Sequence, residues 1–278
     1  MIEDKSDPIK KTELNLLVAF IDCCEKMGLR YYLMGGTMLG AVRHQGFIPW
    51  DDDIDVGMPR KDYEEFLSGA QTLLPDYYFV QCRKTDPELP NNIAKLRDSR
   101  TTFIEASVKD KKINHGIYID IFPLDYYPDD PKKQKKTDRL LRLLSLRIRP
   151  TFTLPQGNKH SGIIEFGVGL AAKALSLKWP TIDDALNARE KLYKSVSYSG
   201  YLANYGGAWG KKEVVPADWY GEGAEGSFEG LPVRLPKEYD KWLTRVYGDY
   251  MLLPPEEKRV THHYTIVIDT ERPYTDYI

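Results

Sequence analysis

Gly35-Gly36-Thr37-Met38-Leu39-Gly40-Ala41-Val42-Arg43-His44-Gln45-Gly46-Phe47-Ile48-Pro49-Trp50-Asp51-Asp52-Asp53-Ile54-Asp55-Val56 is the stretch that decides how this chain is read. A glycine pair follows the apolar, strand-like run Tyr31-Tyr32-Leu33-Met34 and leads into a short helical pattern. A Gly-Gly-Thr turn presents unobstructed backbone N–H groups, and the helix start behind it adds the positive end of its dipole, so Gly35, Gly36 and Thr37 read as a phosphate cradle. Asp51, Asp52, Asp53 and Asp55 then crowd together. Two residues apart on a strand, Asp53 and Asp55 point to the same face and are placed to share a divalent cation. A phosphate cradle with paired carboxylates is the equipment of metal-assisted phosphoryl or nucleotidyl transfer.

Either feature alone has an ordinary explanation, since glycine pairs make turns and acid clusters sit on solvated loops. Together they argue otherwise. Stacked like charges destabilise a fold unless a cation binds, and Ile54 and Val56 alternate with the acids, which gives the segment strand rather than loop character. Asp51 shares the side of Asp53, whereas Asp52 faces away and reads as a hydrogen-bonding support. A third carboxylate comes later, in Gly116-Ile117-Tyr118-Ile119-Asp120-Ile121-Phe122-Pro123. An apolar strand does not bury a lone aspartate cheaply. A turn-capping role at the strand end is the plain reading; the functional one sets Asp120 beside the Asp53–Asp55 strand and completes a three-carboxylate metal site.

Gly-Gly-Thr, a spacer, Asp-hydrophobic-Asp-hydrophobic and a later hydrophobic-Asp-hydrophobic together resemble the nucleotidyltransferase (DNA polymerase β-like) superfamily. More narrowly, Gly35 to Val56 resembles the signature of the LicD family, which includes bacterial phosphocholine transferases and fukutin-type proteins. The long spacer between Thr37 and Asp53 is the LicD form. Tyr247-Gly248-Asp249-Tyr250-Met251 and Leu253-Pro254-Pro255-Glu256-Glu257-Lys258-Arg259 agree with it, and the likeness runs over roughly residues 10–265.

At 278 residues the chain has room for one large or two small domains with a real core. A net charge of −2 gives no reason to expect nucleic acid as a partner. Three cysteines, with Cys23 and Cys24 adjacent, cannot build a disulfide framework, and with Cys82 they read as buried thiols in a reducing compartment. His262-His263 has no zinc-type partners nearby. The N-terminus does not read as a signal peptide and no apolar run reaches the 18 residues of a span, so the expected location is cytoplasmic.

The expected fold is α+β: a small, mixed, nucleotidyltransferase-like sheet with flanking helices over residues 1–127, then a largely helical part over 128–278. A helix over about 8–27, with Leu14, Leu17, Val18 and Ile21 on one face, stops at Gly28. Strands are expected at Tyr31–Met34, Asp53–Met58, Tyr77–Cys82, Ile93–Leu96, Thr101–Ile104 and Gly116–Phe122, with a helix after Pro59. From Pro128 the composition shifts. Over 132–149, Lys132, Lys133, Lys135, Lys136, Arg139, Arg142, Arg147 and Arg149 face the single acid Asp138, and leucines interleave with them. Such a segment is either a packed helix with a solvated basic face or an interfacial helix on anionic lipid. Ile163–Trp179 is apolar but too short to span, and Thr181 caps a further helix with Asp183 and Asp184 in its first turn. Asn204–Gly210 is a glycine- and aromatic-rich loop suited to wall a pocket, Phe228–Leu235 a hairpin, and Pro236–Tyr247 a last helix.

What the resemblance implies is transfer of phosphocholine from CDP-choline to a sugar hydroxyl of a cell-surface glycan (teichoic acid, or a lipopolysaccharide or capsule precursor), with release of CMP. Asp53, Asp55 and Asp120 are then the catalytic residues and the ligands of Mg2+ or Mn2+; oxygen-only ligands suit these ions. Gly35, Gly36 and Thr37 hold the donor phosphates, with Arg43, His44 and Lys95 as further contacts, and Asp120 or a neighbouring acid takes the hydroxyl proton. The acceptor is a lipid-linked glycan, reached through peripheral contact with the inner face of the plasma membrane. The alternatives are transfer of another phosphoalcohol such as phosphoribitol from a CDP donor, NMP transfer from an NTP, and a non-catalytic glycan-binding protein.

Overall fold

The computed structural model describes residues 8–148, 161–259 and 264–278. The chain opens with helix α1 (Pro8–Met27). It ends where Gly28 takes a left-handed φ of +66°, a conformation that costs glycine least. Leu16, Leu17, Phe20, Cys23 and Cys24 are its buried face, while Val18 is exposed. The apolar stripe thus lies rotated from the Leu14–Leu17–Val18–Ile21 face that the sequence favours; Leu17 belongs to both stripes, and the aromatic Phe20 decides the packing.

The acid-bearing segment builds the centre of a mixed sheet. Strand β1 (Tyr32–Leu33) pairs antiparallel with β2 (Asp55–Pro59), and β2 runs parallel to β6 (Ile117–Tyr127). On the far side β4 (Ala94–Asp98) pairs antiparallel with β6, and β3 (Tyr78–Gln81) closes the row. The 11 residues of β6 serve several neighbours: its first part pairs with β2 and β4, its last part with β7 (Tyr201–Asn204), which carries β8 (Val214–Pro216). The sheet therefore draws strands from both sides of Pro128. Strand β5 (Thr102–Glu105) leaves it and pairs with β11 (Thr265–Asp269).

Alternation along the strands gives the sheet two chemically different faces. Val56, Met58, Ile119, Ile121, Ala94 and Leu96 form the apolar one and share a single core with Leu16, Leu17 and Phe20 of α1 and with Tyr63 and Phe66 of α3 (Arg60–Gly69). The opposite face carries Asp55, Asp120 and Lys95. At the edge of the apolar face, Arg60 of α3 donates to both oxygens of buried Asp125 at 2.8 and 2.6 Å and pairs with Glu190, joining α3 and β6 to helix α6 (Ile182–Tyr193).

Beyond Pro128, α4 (Pro131–Ile148), α5 (Ser161–Leu175) and α6 (Ile182–Tyr193) form a separate apolar cluster around Leu144, Ile148, Trp179, Ala185 and Leu186. Thr181 and Asp184 make a reciprocal capping box at the start of α6. Leu140 and Leu143 of α4 pack inward with Leu144, while Lys132, Lys133, Lys135, Lys136, Arg139 and Arg142 are exposed. Of the amphipathic pattern over 132–148, Leu140, Leu143, Leu144 and Ile148 are taken up by the cluster with α5 and α6, and the basic face is left solvated. Arg149 and His262-His263 lie outside the described residues. The hairpin of β9 (Ala224–Phe228) and β10 (Leu231–Leu235) turns through Glu229 and Gly230, both at positive φ as a tight hairpin requires. Helix α7 (Tyr239–Tyr247) sinks Trp242, Leu243 and Val246 completely into the main core.

Candidate functional site

Helix α2 (Gly35–His44) begins at the glycine pair itself, directly after β1. Gly35 has φ +52°, and a Cβ there would lie 3.0 Å from Asp55 Oδ2; one on Gly36 would run into the Asp51 carboxylate. Here the glycines do a job that sequence reading did not assign to them, which is to make room for the acids. The Thr37 hydroxyl, in turn, accepts the Asp55 backbone N–H at 2.8 Å and is 3% exposed. It fixes the start of β2 at the point where the carboxylates gather.

Register then sets a polar row across three adjacent strands. Asp55 on β2 pairs with Asp120 on β6, and Asp120 with Lys95 on β4. Lys95 Nζ donates to Asp120 Oδ1 at 2.6 Å and lies 3.4 Å from the centroid of the Tyr118 ring. Both side chains are nearly buried, 8% and 11% exposed. Burial pushes the Asp55 carboxyl well above the usual range, with Asp53, Asp120 and Asp51 pushing the same way and Lys95 opposing them. Asp53 lies just before β2 rather than within it, beside the same cavity.

That cavity has a volume of about 740 Å³. Gly36, Arg43, Asp51, Asp53 and Asp55 line one wall. The other comes from distant sequence: Ala208 and Trp209, then Tyr247, Asp249, Tyr250, Leu253, Pro254 and Lys258. Trp209 meets Tyr247 edge-on with centroids 5.2 Å apart, and Arg259 lies 5.4 Å from the Trp50 ring centroid. The Asn204–Gly210 loop is therefore a wall of this cavity, and the Tyr247–Arg259 stretch is its other component.

The expected site residues divide by position. Asp53, Asp55, Gly36 and Arg43 line the cavity; Gly35 and Thr37 support it, and Asp120 and Lys95 stand behind Asp55 on the next strands. Arg43 Nη1 donates to the carbonyls of Tyr250 and Leu252 at 2.7 and 3.3 Å, so its guanidinium ties the far wall to α2. Burial, and then Arg43, lower the His44 pKa, which favours a neutral imidazole. Lys258, quoted in the sequence only as part of a motif, is a lysine of the cavity wall.

Among the described residues, no three Asp, Glu, His or Cys side chains converge into a self-contained metal cage. The donor chemistry nevertheless suits Mg2+, which keeps several waters and takes one or two carboxylates together with substrate phosphates. Burial and the like charges of Asp53, Asp120 and Asp51 disfavour a free carboxylate at Asp55, with Lys95 opposing them, and a bound cation would relieve that repulsion.

A family model described as LicD/FKTN/FKRP, nucleotidyltransferase domain, matches residues 28–142, the span of the glycine pair and all three acids. Lipopolysaccharide cholinephosphotransferase LicD of Haemophilus influenzae is 33% identical over 263 residues, covering 90% of this chain and 92% of that protein. Ribitol 5-phosphate transferase FKRP of Homo sapiens is 49% identical over a short stretch of 49 residues, 17% of this chain and 10% of that protein. An uncharacterized protein of Rickettsia prowazekii is 39% identical over 105 residues, 37% of this chain and 35% of its own length.

Proposed function

We propose that this protein, which belongs to the LicD family and is a phosphotransferase, moves phosphocholine from CDP-choline onto a sugar hydroxyl of a cell-surface glycan such as a teichoic acid or lipopolysaccharide precursor. The observation that carries this reading is one cavity lined both by a carboxylate cluster, Asp51, Asp53 and Asp55, and by the aromatic side chains Trp50, Trp209, Tyr247 and Tyr250. A quaternary ammonium is held best by aromatic faces, and a diphosphate beside carboxylates needs a bridging cation. Transfer of phosphoribitol is the second reading, supported by the short, close match to a ribitol 5-phosphate transferase.

Asp53, Asp55 and Asp120 would hold Mg2+ or Mn2+, which when bound neutralises the donor diphosphate and the leaving CMP. Lys258 and Arg43 add positive charge at the cavity wall, and Gly36 makes room for the Asp51 carboxylate beside them. The acceptor oxygen attacks the phosphorus that bears choline, the P–O–P bond breaks, and CMP departs with the bridging oxygen. The hydroxyl proton passes to a nearby carboxylate. Asp249, which lines the cavity, and Asp120, which stands behind Asp55 with one oxygen held by Lys95, are the candidates.

Among the described residues no helix is long and apolar enough to cross a membrane. The exposed lysines and arginines of α4 suit peripheral, charge-driven contact with anionic lipid, where a lipid-linked acceptor would be met. Each basic side chain near such a surface contributes about 1 kcal/mol. Binding to anionic vesicles is therefore expected to fade as salt is raised and to vanish when Lys132, Lys133, Lys135 and Lys136 are all Gln. Salt-independent binding would remove α4 from the contact.

The reaction is tested by supplying a glycan acceptor with CDP-choline, CDP-ribitol, other CDP-alcohols and NTPs. CMP release from CDP-choline is expected, abolished by EDTA and restored by Mg2+ or Mn2+. Pyrophosphate release from an NTP would make the protein a nucleotidyltransferase, and turnover unchanged in chelator would exclude the metal.

A further inference from the structure

Glu213 ends a short 3-10 turn (Gly210–Glu213), is 2% exposed, and takes no part in the chemistry described above. Its carboxylate accepts two hydrogen bonds, one to each oxygen: Trp209 N–H to Oε1 at 2.8 Å and Asn204 Nδ2 to Oε2 at 2.8 Å. Among the described residues no lysine or arginine forms an ion pair with it. Burying an unpaired carboxylate is costly, so the arrangement calls for a reason. Asn204 also accepts the Gly206 N–H at 3.2 Å, and a Cβ on Gly207 would collide with the Glu213 carboxylate. The loop is therefore wrapped around this one side chain. On its outer side Trp209 meets Tyr247 and lines the cavity, with Lys212 Nζ 5.2 Å from the Trp209 ring centroid and donating to the Val246 carbonyl at 2.7 Å.

We infer that Glu213 is a positioning residue for the donor site: its carboxylate clips the Asn204–Glu213 loop from within and thereby fixes Trp209 against Tyr247 as the wall that receives the donor's headgroup. The inference rests on the reading of the cavity as the donor site. Burial also pushes the Glu213 carboxyl up to about 7 against the opposing pull of its two hydrogen bonds, while the phenols of Tyr220 and Tyr247 lie near it. The buried charge thus lowers stability while holding the loop.

That opposition separates positioning from ordinary structural support. Glu213→Gln keeps the shape but replaces one of two acceptors with an N–H donor, which meets the donors of Trp209 and Asn204. Expected are a donor KM raised about tenfold with kcat changed little, and Trp209 emission (wild type minus W209F) that shifts red and quenches more readily with acrylamide. Because the Glu213 pKa in the fold stands above its ordinary 4.5, wild-type stability is full below that value and falls as pH rises through about 7. E213Q escapes that fall, so its melting temperature at pH 8 should match or exceed wild type. G207A, which wedges the clip from outside, should reproduce the KM and emission changes. E213Q/W209A should bind donor no worse than W209A alone. Unchanged KM and emission in both E213Q and G207A, or multiplying KM effects in the double variant, would overturn the inference. A changed emission without turnover of any CDP-alcohol would leave the clip standing and remove the donor-site reading on which its purpose rests.

Discussion

Replacing Asp55 by Asn is expected to lower transfer on the order of a thousandfold, comparable to deleting a principal charge-stabilising group at a phosphoryl centre, while the melting temperature holds or rises. The amide matches the carboxylate in shape, and the Thr37 bond is made to the backbone N–H, so the start of β2 keeps its anchor. What disappears is a buried negative charge that Asp53, Asp120 and Asp51 all oppose. Relieving that repulsion stabilises the metal-free protein, and losing the charge removes the cation's partner. The two readouts move in opposite directions, as expected of a residue kept for chemistry. Activity above a tenth of wild type would remove Asp55 from the centre, and a melting point lower by several degrees would show that the carboxylate is structurally satisfied.

The part of this site that was legible in the sequence is the part written locally. The glycine pair, the acids between Asp51 and Asp55, and the lone Asp120 in an apolar run each announce themselves within a few residues. Strand alternation then suffices to put Asp55 and Asp120 on one sheet face. Cross-strand register is not written locally, and Lys95 shows the consequence: a lysine read as a phosphate contact stands opposite Asp120 and pairs with it. Arg43 differs similarly, because its partners are carbonyls some two hundred residues later in the chain.

The aromatic wall was half visible. The Asn204–Gly210 loop suggested a pocket from its composition, but nothing local ties Trp209 to Tyr247 or either to Asp55. Strands β7, β8 and β11 were missed for a different reason. Tyr201–Asn204 and Val214–Pro216 are too short for alternation to register; the first owes its conformation to the edge of β6 that it covers, and the second to β7 in turn. The basic run of α4 had the right periodicity but two physical outcomes, and only the cluster with α5 and α6 shows which of its apolar residues are taken up inside the protein.

Lys95→Met is expected to be the most damaging of the conservative changes at this site. Lys95 is nearly buried, its ammonium 2.6 Å from Asp120 Oδ1 and against the face of Tyr118. Met fills most of the volume but leaves Asp120 uncompensated beside Asp55. Stranding one partner of a buried pair costs about 3–5 kcal/mol, here deepened by a neighbouring carboxylate. The loss should show as a lower urea midpoint in chelator. It should be partly recovered with millimolar Mg2+, since a ligand that binds the native state stabilises it. K95M/D120N should be more stable than K95M, because the second change removes the charge that the first one strands. If Lys95 instead contacts the donor phosphate directly, the pattern inverts: K95M would raise the donor KM with its urea midpoint unchanged, and D120N would not rescue it. The short Lys95–Asp120 bond and the burial of both groups favour the first outcome, in which this lysine holds the acids together until the cation arrives.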